Sequence, residues 1–535
     1  MKRTLAIVLA IITCFSLSAC AVKNEEDLSY KSTTTEQTTT EKAQTQTTST
    51  ETTTTEETTT VYTEEFTFCV PSGSEVTVNG EKLDSKTAVA ADVPEVLEYV
   101  SQLINDVPEF VTYTADLEPG NINVSGTDAD GNALVFSNTD NAYTASGAST
   151  QSLIDEVSER VSDGLYAWGK HFINFADARP YVHYDSELYG MIFGSADYDW
   201  INNTFYNYEY VSDCSYSEFE ISNYVSYGSE CFTVDVKYTL DVNFYDADRH
   251  DYNQTLDATM VWIPEGDTWS IADLFYKPIT MEYPEYEGIE FITLNEKTYT
   301  GTLIIIEDPS RVSAGAISDL GSTTGLKINA MLEELNNNGI NAIAGINGGD
   351  FIDTGSYIYT GTPVGLVITD GEVVFADEGY GATYRITGLT NENKLVYGYY
   401  TVDEALELGI RDAIAAEDYS GCWLVADGQR YSGILDPADY GCGKNARTAI
   451  GQREDGAILL MCINGRQSNS LGATFYDVAD EMIKYGAVTA AAMDGGSSSQ
   501  MGAKFADGSY RYINNPFTPA YGPRACPTFW LVLGE

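Results

Sequence analysis

Length and charge limit what this chain can be. Its 535 residues exceed what one hydrophobic core can organise, so we expect two to four domains. The formal net charge of -52 repels nucleic acid and anionic lipid surfaces, which excludes nucleic acid as a partner. No cofactor is certain from the composition, although acidic loops could bind calcium or another divalent cation.

The first twenty residues have the pattern of a secretory signal. Lys2-Arg3 precede a short apolar run, Leu5–Phe15, and the segment ends in Leu17-Ser18-Ala19-Cys20. The apolar run is too short to span a bilayer as a mature helix. The cysteine at the cleavage point resembles a bacterial lipobox, which implies lipidation of Cys20 once the signal is removed. We therefore predict a secreted protein that is lipid-anchored to the outer face of a bacterial cell membrane; an ordinary signal peptide is the alternative.

Residues 21–62 form a low-complexity segment rich in Thr, Glu, Gln and Ser. The segment has no apolar periodicity and cannot bury a core, so we predict a disordered, solvated stalk. Fully extended, about forty residues reach roughly 130 Å, a length that suits the crossing of a cell wall.

Cysteine spacing gives no sign of a zinc site, because neither CxxC nor a zinc-type pattern occurs. Seven of the nine cysteines remain once Cys14 is removed and Cys20 is lipidated. An oxidising compartment permits disulfides, and the short-range candidates are Cys214–Cys231 and Cys422–Cys442. Buried free thiols are the alternative.

Two accessory domains are predicted before residue 281. Residues 63–148 look like a small β-rich module, with turns at Asn79-Gly80 and Asp130-Gly131. Residues 149–280 begin with apolar residues at helical spacing and continue as strand-like runs, namely Phe219–Val225, Cys231–Phe244, Asn253–Ile263 and Trp269–Phe275. Helices followed by a curved antiparallel sheet resemble nuclear transport factor 2-like domains in pattern, which implies a cone-shaped fold. We expect a spacer; ligand binding inside the cone is the alternative.

Residues 289–535 are predicted to form a mixed α/β domain, which makes the whole chain multidomain α+β. The predicted elements are a helix over Leu326–Asn337, a strand over Ala342–Ile346, a hairpin of Val364–Ile368 and Val373–Phe375 turning at Asp370-Gly371, a helix over Thr401–Ala416, a helix over Thr474–Tyr485 with a capping box of Thr474 and Asp477, and a last strand over Thr528–Leu533.

Three buried strands of this domain end in polar loops that contain glycine. Asn341–Ile346 leads into Asn347-Gly348-Gly349-Asp350, Ile458–Ile463 leads into Asn464-Gly465-Arg466, and Ala487–Met493 leads into Asp494-Gly495-Gly496-Ser497-Ser498. Enzymes of the α/β class build active sites from such loops at one edge of a sheet, so we expect the three loops to meet.

The residue inventory of the domain excludes several mechanisms. All three histidines, His171, His183 and His250, precede it, so a Ser-His-Asp triad, a Cys-His pair and a histidine zinc site are excluded within it. Lys444 is followed by Asn445 rather than Ser or Thr, so there is no P-loop. The remaining carboxylates, amides, glycines and arginines suit glycosyl transfer through an oxocarbenium-like transition state, phosphate recognition, or both.

Five motifs occur in an order that resembles the phosphodiester glycosidase family. They are Asn347-Gly348-Gly349-Asp350-Phe351, Arg447-Thr448-Ala449-Ile450-Gly451, Gly472-Ala473-Thr474 with Asp477 and Ala479, Asp494-Gly495-Gly496-Ser497-Ser498, and Asn515-Pro516 with Arg524. The resemblance covers roughly residues 301–533. It implies a hydrolase that cleaves a sugar 1-phosphodiester, plausibly in a cell-wall or extracellular glycopolymer.

The chain departs from the family pattern at Asp350, where an aromatic residue is usual, and at Ser497, where a third glycine is common. A substrate pocket that differs from the family's is therefore expected. Asp494 is our first choice for the carboxylate that stabilises the sugar cation or activates water, and Asp350 for its acid/base partner. Asp494 as a turn cap and Asp350 as a structural or metal-binding residue are the alternatives.

The other predicted site residues divide between the phosphate and the sugar. Guanidinium groups bind two phosphate oxygens in one plane, so the phosphate ligands are predicted to be Arg447, Arg466 and Arg524, with help from Ser497 and Ser498. The amides predicted to hold sugar hydroxyls are Asn347, Asn464 and Asn515. Close approach of substrate to the backbone is expected at Gly348, Gly349, Gly495 and Gly496. Structural salt bridges are the alternative for each arginine, and helix capping is the preferred role of Asp477.

Two other functions stay open from the sequence. One is a carbohydrate-binding or wall-organising surface protein whose glycosidase-like site is inactive. The other is a phosphodiesterase that cleaves the P–O bond instead of the glycosyl C–O bond.

Overall fold

A computed structural model describes residues 62–173, 177–194, 211–244, 252–321, 324–352, 358–379, 381–415, 423–439, 441–516 and 523–534. The predicted signal, Cys20, nearly all of the predicted stalk, and Cys422 lie outside these ranges. Within them, none of the helices is long and apolar enough to cross a membrane.

The first strands enclose a small apolar core. The elements are β1 (Glu64–Pro71), β2 (Glu75–Val78), β3 (Glu81–Lys82), β4 (Val89–Ala91), α1 (Glu95–Glu98), β5 (Phe110–Leu117), β6 (Val124–Thr127), β7 (Leu134–Thr139) and β8 (Ala142–Ala148). Asn79 and Gly80 both have positive φ, which confirms the predicted turn between β2 and β3. The Asp128 carboxylate accepts backbone N–H bonds from Asp130 and Asn132, so that segment is an Asx-type turn.

Two helices and four long strands follow. They are α2 (Gln151–His171), α3 (Glu187–Phe193), β9 (Val211–Ser226), β10 (Phe232–Phe244), β11 (Tyr252–Glu265) and β12 (Thr268–Tyr276). Thr150 caps α2 by accepting from the amide of Leu153. The apolar face of α2, which includes Val161, Leu165 and Trp168, packs against β9–β12, hereafter the curved sheet. The predicted helix and four strands are confirmed.

The curved sheet is one end of a larger, nine-stranded sheet. The order of that larger sheet is β12-β11-β10-β9-β8-β1-β5-β4, with β7 also paired to β8, and Gly147 of β8 pairs with Ser226 of β9. The predicted boundary between residues 148 and 149 therefore falls inside one hydrogen-bonded sheet. The proposed Cys214–Cys231 disulfide is wrong, because Cys214 lies opposite Val242 while Cys231 lies beyond the other end of the strand pair.

The remaining elements are almost all strands. They are β13 (Ile289–Asn295), β14 (Thr300–Ile306), β15 (Val312–Ala316), α4 (Ile328–Asn337), β16 (Ala342–Asn347), β17 (Leu366–Thr369), β18 (Glu372–Ala376), β19 (Tyr384–Thr390), β20 (Leu395–Tyr400), α5 (Val402–Glu407), β21 (Ile410–Ala415), β22 (Trp423–Ala426), β23 (Gln429–Arg430), β24 (Arg447–Arg453), β25 (Ile458–Ile463), α6 (Phe475–Lys484), β26 (Ala487–Met493), β27 (Met501–Lys504), β28 (Tyr510–Tyr512) and β29 (Thr528–Leu533).

Three sheets organise this region. The large sheet has the order β13-β14-β25-β24-β26-β22-β23, the small sheet β15-β29-β16-β27-β28, and a third sheet β18-β17-β21-β19-β20. Ladder pairings between the described strands of these sheets are antiparallel. The prediction of a mixed α/β domain therefore holds only in part: the described residues include three helices, but the fold is mostly β. Single apolar runs do not distinguish a parallel strand from the centre of a covered antiparallel sheet.

The helix predicted over Thr401–Ala416 is confirmed only in its first half. α5 ends at Glu407, and Gly409 adopts a positive φ of 70°. Residues Ile410–Ala415 then form β21, which lies buried between β17 and β19. The helices over Ile328–Asn337 and Phe475–Lys484, the hairpin at Asp370-Gly371 and the last strand are confirmed.

A single lysine joins three parts of the molecule. Lys297, in the turn between β13 and β14, places its Nζ 2.8 Å from Oδ2 of Asp273 on the curved sheet. The same ammonium lies 3.0 Å from the centre of the Tyr99 ring, which follows α1. Asp273 is only 6% exposed, and burial raises its pKa although Lys297 acts in the opposite direction.

We expect Lys297→Met to lower the free energy of unfolding by about 3 kcal/mol at pH 7, because it leaves a buried carboxylate without its cation. Because the folded-state pKa of Asp273 is raised, its ionisation destabilises the fold as pH rises through that pKa. The difference between variant and wild type should therefore shrink as pH falls below it. Urea unfolding followed by tryptophan fluorescence at several pH values measures this.

Lys277→Met is the matched control. Lys277, which follows β12, pairs with Asp235 at 3.0 Å, but the two side chains are 44% and 28% exposed and Asp235 also accepts from Asn223 and Thr259, so the expected loss is below about 1 kcal/mol. Equal losses in the two variants would contradict the role given to Lys297.

Candidate active site

Two of the predicted loops meet between the large and small sheets. β16 of the small sheet ends at Asn347, and β26 of the large sheet ends just before Asp494. The Asp494 amide donates to the Gly348 carbonyl at 3.1 Å, and Asn347 Nδ2 donates to the Asp494 carbonyl at 2.8 Å. The third loop joins them through Arg466, which lies against Gly496. The expectation that the three loops meet is therefore confirmed, but their strands come from two packed sheets and not from one sheet edge.

Asn347 uses its whole carboxamide on the protein. Nδ2 donates to the carbonyls of Asp494 and Gly348, and Oδ1 accepts from Thr448 Oγ1 at 2.9 Å and from the Gln500 amide at 3.1 Å. The residue is fully buried. Two donors and two acceptor positions are all that a carboxamide has, so Asn347 holds the loops together and its side chain is not available to a sugar hydroxyl.

The two glycines after Asn347 allow close backbone packing. A Cβ on Gly348 would overlap the Thr528 residue, and a Cβ on Gly349 would overlap the Ala415 carbonyl oxygen. Both positions therefore exclude any larger residue without movement of the neighbouring strand. The absence of side chains there lets the β16 loop lie between β29 and β21, while close approach of substrate to this backbone stays a prediction.

Asp494 lies half-buried beside a thiol and an arginine. Burial raises the pKa of the Cys526 thiol; the charge of Asp494 raises it further, and that of Arg524 lowers it. The charges of Asp494 and Arg524 thus act on the same buried thiol. The Arg524 amide donates to the Ser497 carbonyl at 2.8 Å, which ties the segment after residue 522 to the Asp494 loop.

Arg466 contacts the same loop at Gly496. A Cβ placed on Gly496 would lie 3.4 Å from Nη1 of Arg466 and 3.8 Å from Oδ1 of Asn445. Arg466 is 8% exposed and Asn445 9% exposed. Within the described part of the chain, Oδ1 of Asn445 has no hydrogen-bond partner. An acceptor that is buried without a partner costs free energy unless a ligand completes it.

Three of the predicted ligands are used internally instead. Arg447 is buried, with Nε donating to the Ala473 carbonyl, Nη2 to those of Gly441 and Gly443, and its guanidinium 4.0 Å from the centre of the Phe475 ring. The Asn464 side chain bonds Thr300 Oγ1, the Asn514 amide group and the Asn515 backbone. The Asn515 side chain donates to Gln467 Oε1. These side chains brace the loops around Asp494.

Asp350 lies at the edge of this arrangement. It is half-buried, and its Oδ1 accepts from the amide of Phe351 at 2.7 Å. The Phe351 ring is buried, and the guanidinium carbon of Arg524 lies 5.5 Å from its centre. Asp477, by contrast, closes the capping box of α6 and pairs with Lys444 at 2.8 Å, which confirms the preferred capping role.

Gln500 is the main residue that sequence reasoning missed. It is fully buried; its Nε2 donates to the carbonyls of Ser498 and Arg524, and its Oε1 accepts from the amide of Ile328 at the start of α4. It thereby fixes three segments around Asp494. No periodicity or motif marks such a residue, which follows three serines directly before β27.

No group of three or more His, Cys, Asp or Glu side chains that could hold a metal ion occurs among the described residues. Divalent-cation binding therefore stays a prediction from the acidic composition.

Comparisons with known proteins agree with the motifs. Residues 340–533 match the family model described as phosphodiester glycosidase. An uncharacterised protein derived from the SPbeta prophage, YomE of Bacillus subtilis (strain 168), is 32% identical over 170 residues, which are 31% of this chain and 25% of that protein. The chain thus spans about a quarter of the length of this relative.

Two solved structures are similar to this chain at low sequence identity. One is the zebrafish N-acetylglucosamine-1-phosphodiester alpha-N-acetylglucosaminidase catalytic domain, auto-inhibited by its pro-peptide, with 21% identity, a TM-score of 0.37, and coverage of 48% of this chain and 86% of that chain. The other is a hypothetical protein from Synechocystis, with 12% identity, a TM-score of 0.34, and coverage of 60% and 81%. From the family match and the motifs that form the site, residues 340–533 of this chain are a domain of the phosphodiester glycosidase family.

Proposed function

We propose that this chain hydrolyses the glycosyl C–O bond of a sugar 1-phosphodiester. The family match supports a hydrolase that acts on phosphodiester-linked sugars. The observation that carries the finer proposal is the setting of Asp494: the Arg466 side chain lies against Gly496 of its loop, and the Arg524 amide donates to Ser497 of the same loop. A carboxylate on a loop that two arginines contact suits a substrate that develops positive charge on the sugar and carries negative charge on the phosphate.

The leaving group explains why Asp494 can carry most of the catalysis, with only minor acid or base assistance. A phosphate monoester departs without full protonation, so the reaction needs less general-acid help than hydrolysis of an ordinary glycoside. Asp494 stabilises the oxocarbenium-like sugar or activates the attacking water, whose oxygen becomes the anomeric hydroxyl of the product. Arg466 and Arg524 bind the departing phosphate, and Asn445 accepts a hydrogen bond from a sugar hydroxyl. Asp350 assists as acid or base.

The setting of the enzyme follows from the first sixty residues. Lipidation of Cys20 and a stalk of residues 21–62 hold the folded part outside the membrane, where the available sugar phosphodiesters are those of a cell-wall or extracellular glycopolymer. The site loops and the signal are separate features, so each part of the proposal is tested separately.

Asp494→Asn should lower kcat by about 10³-fold on a sugar 1-phosphodiester, because it removes the carboxylate charge while keeping its shape. The measurement is release of free sugar from a panel of such esters, with Asp507→Asn, an exposed aspartate of the β27–β28 turn, as the control of unchanged activity. Equal turnover by Asp494→Asn and wild type would sink the assignment.

Hydrolysis in ¹⁸O-labelled water should place the label in the sugar, because the glycosyl C–O bond breaks. Mass spectrometry of both products decides this, and label in the phosphate would identify a P–O phosphodiesterase instead. Sugar binding without turnover on the whole panel would favour the inactive, carbohydrate-binding alternative.

Arg524→Met and Arg447→Met should affect different properties: the first should weaken ligand binding, and the second should lower the stability of the fold. Arg524→Met should weaken binding of sugar 1-phosphates about 10- to 100-fold with little change in melting temperature, because a charged hydrogen bond to the ligand is lost. Arg447→Met should lower the free energy of unfolding by about 3 kcal/mol, because three backbone carbonyls, of which that of Ala473 is buried, lose their donor. Calorimetric titration and thermal unfolding measure the two effects; the reverse pattern would exchange the roles of the two arginines.

Cys20→Ser should abolish fatty-acid attachment when the full chain is expressed in a bacterium. Metabolic labelling with a radioactive fatty acid, together with partition into detergent, measures this. Lys2→Gln is the control, since one changed charge in the signal leaves the acylated cysteine present. Equal labelling of Cys20→Ser and wild type would contradict the proposed anchor.

A further inference from the structure

The loop between β25 and α6 is a small hairpin whose tip points away from its own domain. Gln467 and Ser470 exchange two backbone hydrogen bonds, of 3.0 and 3.1 Å, and the Arg466 amide donates to the Leu471 carbonyl. Ser468 therefore lies at the tip and Arg466 in the stem. We call residues 464–473 the Arg466 loop.

The tip of the Arg466 loop docks on the curved sheet. The Ser468 amide donates to Oε1 of Gln254 at 3.2 Å, and the Ser468 hydroxyl donates to the carbonyl of Thr255 at 3.1 Å. Both contacts belong to β11. Ser468 is fully buried, Gln254 is 2% exposed, and the Leu471 side chain packs in the apolar core between α2 and the curved sheet. The loop is thus embedded in the preceding domain.

Arg466 has a conformation that needs such support. Its φ of 57° lies in the left-handed region, which costs a residue with a side chain about 1–2 kcal/mol. A backbone conformation of this kind persists only where its surroundings fix it. The same residue lies against Gly496 in the Asp494 loop. Docking of the tip therefore acts on the placement of a guanidinium in the candidate active site.

Gln254 lowers the stability of the curved sheet when that sheet is considered by itself. It shares the inner face of β11 with Leu256 and Ala258, and in the described part of the chain its buried Nε2 has no hydrogen-bond partner. An apolar side chain there would remove that unsatisfied donor. Local violations of polar satisfaction of this kind are typical of functional positions.

We propose that the curved sheet is a positioning element of the active site, with Gln254 and the Thr255 carbonyl as the anchors of the Arg466 loop. This inference rests on the proposed function for its kinetic consequences, although the anchoring itself does not depend on the reaction. It replaces the expectation of a passive spacer: the domain holds one wall of the catalytic site in its working conformation.

The test replaces Gln254 by methionine in the full chain. Gln254→Met removes the unsatisfied Nε2 and leaves the Ser468 amide unsatisfied instead, so one unpaired buried donor is exchanged for another and the melting temperature should stay close to wild type. Amide exchange over residues 464–473, measured by mass spectrometry, should become about tenfold faster, the factor expected for the loss of one buried hydrogen bond.

The kinetic expectation is a KM that rises about tenfold with kcat within about twofold, because a displaced phosphate ligand weakens substrate binding without removing the carboxylate. A merely structural role would lower the active fraction and hence kcat at constant KM. Thr259→Val is the matched control: it removes hydrogen bonds to Asp235 and Lys277 from the same strand but does not touch the loop. Exchange over 464–473 and KM should both stay at the wild-type value.

Ser468→Ala is the second variant, which keeps the test decisive if Gln254→Met fails to fold. It removes the hydroxyl bond to Thr255, and faster exchange with a raised KM is again expected. Wild-type exchange and KM in both folded loop variants would overturn the proposal. If wild type hydrolyses no ester of the panel, the proposed function fails, and the exchange measurement alone decides whether the curved sheet anchors the loop.

Discussion

The candidate active site depends on one buried carboxamide. Asn347 ends β16, and its four hydrogen bonds connect that strand to the residues that follow β26, to β24 through Thr448, and to the amide of Gln500. The large and small sheets are therefore fixed to each other at the point where Asp494 leaves its strand. Because every polar position of the carboxamide is filled by protein, any rotation would leave buried groups unsatisfied, at about 1–3 kcal/mol each.

The arginines show how a strongly acidic chain can build a site for an anion. The net charge of -52 lies mainly in solvated carboxylates, whereas the region around Asp494 collects guanidinium groups in partly dry surroundings. Neutral carbonyls of the backbone hold Arg447, so it braces the loops without cancelling a charge. Arg466 and Arg524 contact the Asp494 loop, where the lower dielectric would strengthen their attraction for the phosphate of the proposed substrate.

The accessory domains are joined to the glycosidase domain by specific polar contacts. Lys297 pairs with Asp273 and lies on the Tyr99 ring, and Ser468 bonds to β11 of the curved sheet. Buried hydrogen bonds and ion pairs fix one relative arrangement more strictly than apolar packing does. The loop that holds Arg466 is thereby part of an interface and not of a free surface, which is why the preceding domain can affect the site.

Features that depend on neighbouring residues could be predicted from the sequence alone. These are α2 from its apolar spacing, the capping box of α6, the Asp370-Gly371 hairpin, and the family from its ordered motifs. The pairing of strands was beyond it, because an apolar run has the same appearance in parallel and covered antiparallel sheets. The roles of polar residues divided in the same way. The side chains of Asn347, Asn464 and Arg447 are of the types found in binding sites, yet each hydrogen-bonds to other groups of the protein. Only the tertiary structure decides whether a buried amide or guanidinium meets a protein group or a ligand.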